Sequence, residues 1–274
     1  MTTSDATLLT TEEERRAYRD DGAVLLRGHF KPWVDLLREA TERVLAEPGP
    51  LGTRYGRDDH KGTFRGDRYM WTFDDGFRRF VLEGPGARLA AELMGASQSR
   101  LFYDHLLVKE PGAEAPTPWH QDLPYWCVDG DQICSLWLVL DRVEHDSGLL
   151  QFVRGSHRWN RRFSAPDFRH RQDYADDLEP MPDIDAERSR YEFLEWDALE
   201  PGDVLAFHAM AVHGAPGNSR PDLRRRAISV RWMGDGVRYR EHANVTRPIR
   251  DPGLRHGEPV GGELFPQVWP SYAP

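Results

Sequence analysis

The sequence predicts a mainly β fold, a sandwich or jelly roll with flanking helices, and three observations support this prediction. Residues 10–95 show helical periodicity, the segments after them alternate between apolar and polar side chains, and turn-forming residues bound each segment. Short strands after a helical region are typical of a sandwich or jelly roll with helices on one outer face. No repeat or composition break divides the chain. We therefore expect one domain over 1–274, with its β core at about 100–235 and an irregular tail at 247–274.

Three helices are predicted in the N-terminal part. The first begins at a capping box formed by Thr11 and Glu14 and ends at Gly22. The second follows Pro32, because the apolar residues after it fall on one helical face. The third lies between 85 and 95.

The strands are predicted where branched and aromatic residues alternate with polar ones. The predicted strands cover 100–109, 133–140, 149–153, 204–207 and 225–232. The stretch from 160 to 190 is charged and contains prolines, and we expect a long loop that acts as a lid or binding loop.

The composition narrows the possible partners. The net charge is −9, which disfavours nucleic acid and anionic membranes. The chain has no apolar run long enough for a membrane span, and its polar N-terminus does not resemble a signal peptide. Its two cysteines, Cys127 and Cys134, are expected to be reduced thiols. We predict a cytoplasmic enzyme, a monomer or homodimer, with a small-molecule substrate.

His120 and Asp122, which are separated by one residue, are the first candidates for metal chemistry. A strand points such residues to the same side, so they could take adjacent positions on one metal ion. With 11 His and 45 acidic residues, about two such pairs are expected by chance. The other pair, His256 and Glu258, lies in the irregular tail. Trp119, Tyr125 and Trp126 flank the first pair, as a small-molecule pocket requires, although these rings could instead only pack on the sheet. Together with Tyr103 they are the candidate pocket aromatics.

A third metal ligand is expected after the apolar strand at 204–207. His208 and His213 both qualify, and we favour His213, which precedes a turn and lies at a strand end. Alternation in the last strand puts Arg225 on a polar, small-residue face that could line the inside of a barrel. A guanidinium there would bind a carboxylate through two hydrogen bonds. Arg224 and Arg226 are close competitors.

Several motifs occur in a fixed order along most of the chain. They are TPWHQDLPYW at 117–126, GLLQFVRGSH at 148–157, GDV at 202–204 followed by HG at 213–214, and RRAIS at 225–229. Together with DGAVLLR at 21–27, they resemble the phytanoyl-CoA dioxygenase family of non-haem iron oxygenases.

The resemblance implies a double-stranded β-helix, a cupin-like jelly roll, and a dioxygenase that uses Fe(II), 2-oxoglutarate and O2. It implies that iron is held by His120, Asp122 and His213, and that Arg225 binds the distal carboxylate of 2-oxoglutarate. It also implies cosubstrate contacts for two further residues, Trp137 and His105. The family often has a serine where this chain has Ala215, so one hydrogen bond must come from elsewhere.

The retained carboxylate of Asp122 bears on the reaction type, because related halogenases have a small residue there. Its presence favours hydroxylation of a small organic molecule, with release of succinate and CO2. Ring closure, epimerisation, desaturation or a non-oxidative role of the same fold are the alternatives, and so is a zinc enzyme. The Arg-rich, Lys-poor composition is typical of a GC-rich bacterium. We therefore expect a role in bacterial secondary metabolism. The Arg- and His-rich stretch at 154–171 could bind the phosphates of a coenzyme A thioester, although solvated loop charge is the simpler interpretation.

Overall fold

The computed structural model describes residues 8–56, 60–164, 178–241 and 245–271. The helices are α1 (Glu12–Asp21), α2 (Val34–Ala46), α3 (Asp75–Glu83) and α4 (Gly86–Met94). The strands are β1 (Ala23–Leu26), β2 (Thr53–Tyr55), β3 (Phe64–Arg68), β4 (Ser99–Lys109), β5 (Thr117–His120), β6 (Val128–Asp129), β7 (Ile133–Val139), β8 (Val143–Glu144), β9 (Gln151–Val153), β10 (Phe193–Leu194), β11 (Ala198–Leu199), β12 (Val204–His208), β13 (His213–Ala215), β14 (Arg225–Met233), β15 (Arg238–Tyr239) and β16 (Gln267–Trp269).

The first helix begins and ends as its sequence predicts. Thr11 and Glu14 form a reciprocal capping box, and Gly22 ends the helix in the left-handed conformation that glycine adopts most readily. α2 and α4 also lie where they were expected. α3 was not predicted, although Asp74 caps it by accepting hydrogen bonds from the backbone amides of Gly76 and Phe77.

Two antiparallel sheets form the jelly roll. The larger has the order β1-β12-β7-β14-β4-β3-β2, with β16 also paired to β4, and the smaller has the order β10-β9-β13-β5. The predicted mainly β jelly roll with flanking helices is therefore confirmed.

The predicted limits of the β core were too narrow. β1, β2 and β3 lie in the part expected to be helical, and β16 lies in the tail expected to be irregular. β1 is only four residues long, and β3 has the polar sequence FRGDR, so neither shows a clear apolar alternation. Of the predicted loop at 160–190, residues 165–177 lie outside the described part of the chain.

The larger sheet has two chemically different faces because successive side chains on a strand point in opposite directions. The outer face packs against the helices in a large apolar cluster that includes Ile228, Val230 and Trp232. The inner face, toward the smaller sheet, carries a second cluster that includes Trp137 and Phe207. We call the space between the two sheets the lumen.

Both cysteines are free thiols, as predicted, and both are buried. Burial raises the pKa of Cys127 and of Cys134 to about 12, so neither is a reactive thiolate near neutral pH. None of the helices in the described ranges is both long enough and apolar enough to cross a membrane.

Candidate metal centre

The lumen brings together two imidazoles and a carboxylate, those of His120, Asp122 and His213. Each offers one ligand atom, these atoms all lie within 4.8 Å of one another, and all three residues are buried. Strand pairing explains part of this convergence, because His120 on β5 lies directly opposite His213 on β13. The arrangement is a facial set of two His and one carboxylate, which leaves open positions on a bound metal.

Asp122 reaches the cluster by a different route from the predicted one. β5 ends at His120, and Asp122 has α-helical backbone angles at the start of a short 3-10 turn that contains Pro124. The amides of Asp122 and Leu123 both donate to the carbonyl oxygen of Ala209, which holds the turn in place. The pair therefore converges through a strand end and a tight turn and not through strand alternation.

Backbone carbonyls orient both imidazoles. The Nδ1 atom of His120 lies 2.7 Å from the oxygen of Pro118, and that of His213 lies 3.0 Å from the oxygen of Ala211. A carbonyl can only accept a hydrogen bond, so each Nδ1 donates its proton to the backbone and each Nε2 is left as the atom that can ligate a metal. Burial, together with His120, lowers the pKa of His213 to about 3, which keeps this ring neutral.

The carboxylate of Asp122 is held in its charged form. Burial acts to raise its pKa, but the neighbouring His120 and the charge of Arg231 outweigh burial and leave the pKa below its usual range. One oxygen, Oδ1, lies 3.4 Å from Nε2 of His120. The other, Oδ2, accepts a 3.3 Å hydrogen bond from the hydroxyl of Ser135. Two imidazole nitrogens and a charged carboxylate are donor types that suit a divalent metal.

The structure separates the two histidines between which the sequence left a choice. His208 lies outside the cluster, with its Nε2 at 2.7 Å from the oxygen of Asp131 and its ring beside those of Tyr18 and His157. The chance match in the tail also forms no cluster: Nδ1 of His256 accepts from the amide of Glu241, whereas the carboxylate of Glu258 accepts from the amide of Arg255.

A second polar group in the lumen is formed by Arg225 and Lys109, which lie opposite each other on β14 and β4. Both are buried, and neither has a carboxylate partner in the described part of the chain. Nη1 of Arg225 donates to the oxygen of Leu107 at 3.1 Å, and its Nε has no partner among the described residues. The ammonium of Lys109 donates to the oxygen of Pro216 at 2.5 Å.

Two adjacent buried cations without an anion destabilise each other. Burial lowers the pKa of Arg225 to about 9. Burial, followed by the charge of Arg225, lowers the pKa of Lys109 well below its usual value. Buried charges are normally paired, so this pocket has the chemistry of a site for an external carboxylate.

The competing arginines have different surroundings. Arg224 makes ion pairs with Glu110 and Glu42, and Arg226 makes ion pairs with Asp141 and Glu42. Their pKa values are raised, chiefly by these carboxylate hydrogen bonds. Of the three consecutive arginines, only Arg225 points into the lumen without such a pair.

The walls around Arg225 are aromatic rings and a glycine. Its Cζ lies 5.6 Å from the Trp137 ring and 5.7 Å from the Phe64 ring. A Cβ atom added to Gly148 would lie 3.3 Å from Cδ of Lys109 and 3.6 Å from Nε of Arg225. The backbone of Gly148 therefore closes this end of the lumen.

His105 lies between the two polar groups on the inner face of β4. Its Nε2 is 2.7 Å from the hydroxyl of Tyr55, and its Nδ1 has no partner among the described residues. Burial, followed by the charges of Arg231 and Arg68, lowers its pKa well below the usual value, so the ring is neutral. Ala215 lines the lumen next to Pro216 and supplies no side-chain donor.

Three of the four predicted pocket aromatics lie near the metal ligands. The Tyr125 ring is 5.8 Å from the His120 ring, and the Trp126 indole donates a 2.9 Å hydrogen bond to the hydroxyl of Tyr103. Trp119 does not join them, because it is adjacent to His120 on β5 and so points to the opposite face. It packs beside Phe193 in a separate apolar cluster.

Sequence reasoning missed Lys109 as a lumen residue. Lys109 has the same strand parity as Tyr103 and His105, so extending the alternation along β4 would have placed it in the lumen. Arg231 was placed on the same face as Arg225 by the alternation of the last strand, but it was given no role.

Comparison with known proteins supports these features. The phytanoyl-CoA dioxygenase family model matches residues 18–227. The "Probable phytanoyl-CoA dioxygenase" of Caenorhabditis elegans is 25% identical over 257 residues, which cover 84% of this chain and 77% of that protein. The peroxisomal phytanoyl-CoA dioxygenase of Homo sapiens is 24% identical over 254 residues, which cover 86% of this chain and 72% of that protein.

Two solved structures from nogalamycin biosynthesis share the fold over nearly their whole length. The non-haem α-ketoglutarate-dependent carbocyclase SnoK superposes with a TM-score of 0.75 at 26% identity, covering 95% of this chain and 97% of SnoK. The epimerase SnoN, in complex with Fe3+, α-ketoglutarate and nogalamycin RO, superposes with a TM-score of 0.74 at 28% identity, covering 94% of this chain and 98% of SnoN.

Proposed function

Because this chain belongs to the phytanoyl-CoA dioxygenase family of Fe(II)- and 2-oxoglutarate-dependent enzymes, we propose that it hydroxylates a small organic molecule in bacterial secondary metabolism, with release of succinate and CO2. The observation that carries this proposal is the convergence of His120, Asp122 and His213 at one end of a lumen. The other end holds two buried cations that have no carboxylate partner in the described part of the chain. We also propose that the enzyme is cytoplasmic and is a monomer or homodimer.

In this proposal each protein group has a defined task. His120, Asp122 and His213 hold the iron, and Arg225 and Lys109 bind the distal carboxylate of 2-oxoglutarate through charge-assisted hydrogen bonds. Trp137 forms the wall between the two ends, and His105 offers its Nδ1 to the bound acid. When bound, iron and 2-oxoglutarate together supply the reduction of O2 and the oxidation of the substrate. The surrounding aromatic rings keep water out of the site.

Asp122 supports an oxidation that does not involve halide. If Asp122 held the iron, its carboxylate would occupy a position that a halide would otherwise need. We expect no chlorinated product from the wild-type enzyme, even in concentrated chloride.

A second candidate function is ring closure or epimerisation at the same centre. It is favoured by the likeness to SnoK, a carbocyclase, and SnoN, an epimerase, both of which depend on α-ketoglutarate. Product mass separates these reactions. Hydroxylation adds one oxygen atom, oxidative ring closure or desaturation removes two hydrogen atoms, and epimerisation leaves the mass unchanged.

A coenzyme A thioester is disfavoured as substrate. Three of the four arginines in the described part of the stretch are paired with carboxylates, and Arg158 is the exception: Arg154 pairs with Asp21, Arg161 with Glu179 and Arg162 with Asp129. The remainder of the stretch, from 165 on, lies outside the described residues.

The test is succinate formation from 2-oxoglutarate across a panel of small molecules, with and without Fe(II). We expect succinate to appear only with Fe(II) and to increase with the true substrate. The His213→Ala variant should be inactive, and the His208→Ala variant serves as the matched control. Full turnover by wild-type enzyme that contains zinc and no iron would contradict the proposal.

A further inference from the structure

Arg231 is a second buried guanidinium in the lumen, at the end that holds the metal ligands. It follows Arg225 by six residues on the same inner face of β14, and it is 5% exposed. At the rise of a β-strand the two Cα atoms are about 20 Å apart. The two guanidiniums therefore lie at opposite ends of the lumen, and the cosubstrate role given to Arg225 leaves Arg231 without an assigned ligand.

The guanidinium of Arg231 has a donor without a partner. Its Nη1 donates to the oxygen of Ser229 at 3.0 Å, while its Nε has no partner in the described part of the chain. Its Nη2 lies 3.9 Å from Oδ2 of Asp122, which makes an ion pair but no hydrogen bond. A buried donor without a partner is costly. An anion from outside the protein would satisfy the Nε edge of this guanidinium.

Two aromatic rings hold this guanidinium in place. Its Cζ lies 4.7 Å from the Tyr103 ring and 5.8 Å from the Trp126 ring, and these two side chains are hydrogen bonded to each other. Tyr69 stacks on Tyr103 from the other side, with ring centroids 5.3 Å apart. The rings stabilise the cation without satisfying its N–H groups. They also offer flat apolar surface next to those groups.

We propose that Arg231 binds an anionic oxygen of the organic substrate, a carboxylate in the first instance, while Tyr103 and Trp126 contact an apolar or unsaturated body next to it. This inference rests on the proposed function, because it takes the lumen to be the substrate site. It names the substrate class as an organic acid whose acidic group lies beside the metal centre.

Paired probes that differ only in charge test the proposal without turnover. The protein is loaded with Zn(II), which binds the same donor set without redox chemistry, and with saturating 2-oxoglutarate, which fills the Arg225 end. Binding of benzoate against benzamide, and of 2-naphthoate against 2-naphthamide, is then measured by ligand-observed NMR. Wild-type protein should bind at least one acid about tenfold or more tightly than its amide, as expected for a charge-assisted hydrogen bond.

Three variants test whether Arg231 causes the preference for the acid over its amide. Arg231→Met keeps the side-chain volume and should abolish the preference for the acid, and Arg231→Lys should restore part of it. Arg226→Met, on the same strand but on the outer face, should keep it in full. Absence of any acid preference in wild-type protein, or an unchanged preference in Arg231→Met, overturns the proposal.

Two further readouts separate the other roles that Arg231 could have. If Arg231→Met weakens Zn(II) binding and leaves the acid preference intact, Arg231 only positions Asp122. If Arg231→Met weakens 2-oxoglutarate binding and leaves the preference for the acid intact, the anion that Arg231 binds is the cosubstrate. Either result overturns the proposal but not the proposed function, which would instead fail if wild-type enzyme with Fe(II) formed no succinate.

Discussion

The two ends of the lumen differ in how complete they are. At the metal end, two imidazoles and a carboxylate already converge, with both imidazoles oriented by backbone carbonyls. At the other end, which we call the cation end, Arg225 and Lys109 lie side by side without a counter-ion among the described residues. The metal end is therefore preorganised for a metal ion. The cation end has two positive charges that lack a counter-ion until an acid binds.

This difference predicts opposite responses to substitution. Removing a ligand residue from the metal end should weaken metal binding and should not stabilise the protein. Removing a cation from the incomplete end should reduce cosubstrate affinity and, at the same time, stabilise the protein without cosubstrate.

The largest effect is expected at the metal end. His213→Ala removes one of three ligands and should weaken Fe(II) binding by more than about 100-fold, since loss of a group that only orients a ligand already costs 10–100-fold. Anaerobic protein with Fe(II) and 2-oxoglutarate should then lose its visible charge-transfer band. His208→Ala should keep most of the band, and the reverse ranking would move the metal centre to His208.

The next largest effect is expected for Arg225. Arg225→Met removes a charge-assisted contact worth about 1.5–3 kcal/mol, so the dissociation constant of 2-oxoglutarate should rise about tenfold to 100-fold. Titration calorimetry on the Zn(II) protein measures this constant directly. Arg226→Met is the matched control and should change it little, because Arg226 is paired with Asp141 on the outer face. Equal effects of the two variants would contradict the assignment of Arg225 to the lumen site.

Lys109 sharpens the comparison, because its two expected effects have opposite signs. Lys109→Met should weaken 2-oxoglutarate binding about tenfold but leave the binding of 2-oxobutyrate, which lacks the distal carboxylate, unchanged. The melting temperature without cosubstrate should rise, because an unpaired buried charge is removed. A fall in melting temperature, with equal loss of both acids, would mean that Lys109 only supports the chain at Pro216.

The pH dependence of stability gives an independent readout of Lys109. Its pKa is lowered in the folded protein from an ordinary value of 10.5, so the unfolded chain binds this proton more tightly. Stability of the cosubstrate-free protein should therefore rise with pH between the folded value and 10.5. Thermal melts across this range should show a flatter rise for Lys109→Met than for the wild type.

The smallest effect is expected at Ala215. Ala215→Ser adds a hydroxyl to the cation end, and a neutral hydrogen bond contributes about 0.5–1.5 kcal/mol. The affinity for 2-oxoglutarate should increase about twofold to tenfold by the same conversion. Ala215→Val, which adds volume but no donor, is the control. An increase in both variants would assign the gain to packing and not to a hydrogen bond.

Strand periodicity explains why much of the lumen could be predicted from the sequence. The alternation of β14 separates Ile228, Val230 and Trp232 from Arg225 and Arg231, and this division is the one between the outer face and the lumen. A shift of one residue in the pairing of β14 would turn its apolar side chains toward the lumen and its arginines toward the helices. The pairing register is therefore strongly specified.

Turns and strand pairing account for what could not be predicted. Asp122 reaches the cluster through a 3-10 turn, which period-two reasoning cannot describe. Lys109 joins Arg225 only because β4 pairs with β14 in one particular register, and a single strand does not reveal its partner. Trp119 was placed in the pocket because of its neighbours in sequence, although strand alternation turns it to the opposite face.

The glycine at position 148 also has a consequence for variants of the cation end. A Cβ atom there would lie 3.3 Å from Cδ of Lys109 and 3.6 Å from Nε of Arg225, so a larger residue would crowd both cations. If these cations bind the far carboxylate of the cosubstrate, as proposed, position 148 limits the room for that carboxylate although its residue has no functional group. A larger side chain at this position should then weaken cosubstrate binding without the removal of any charge.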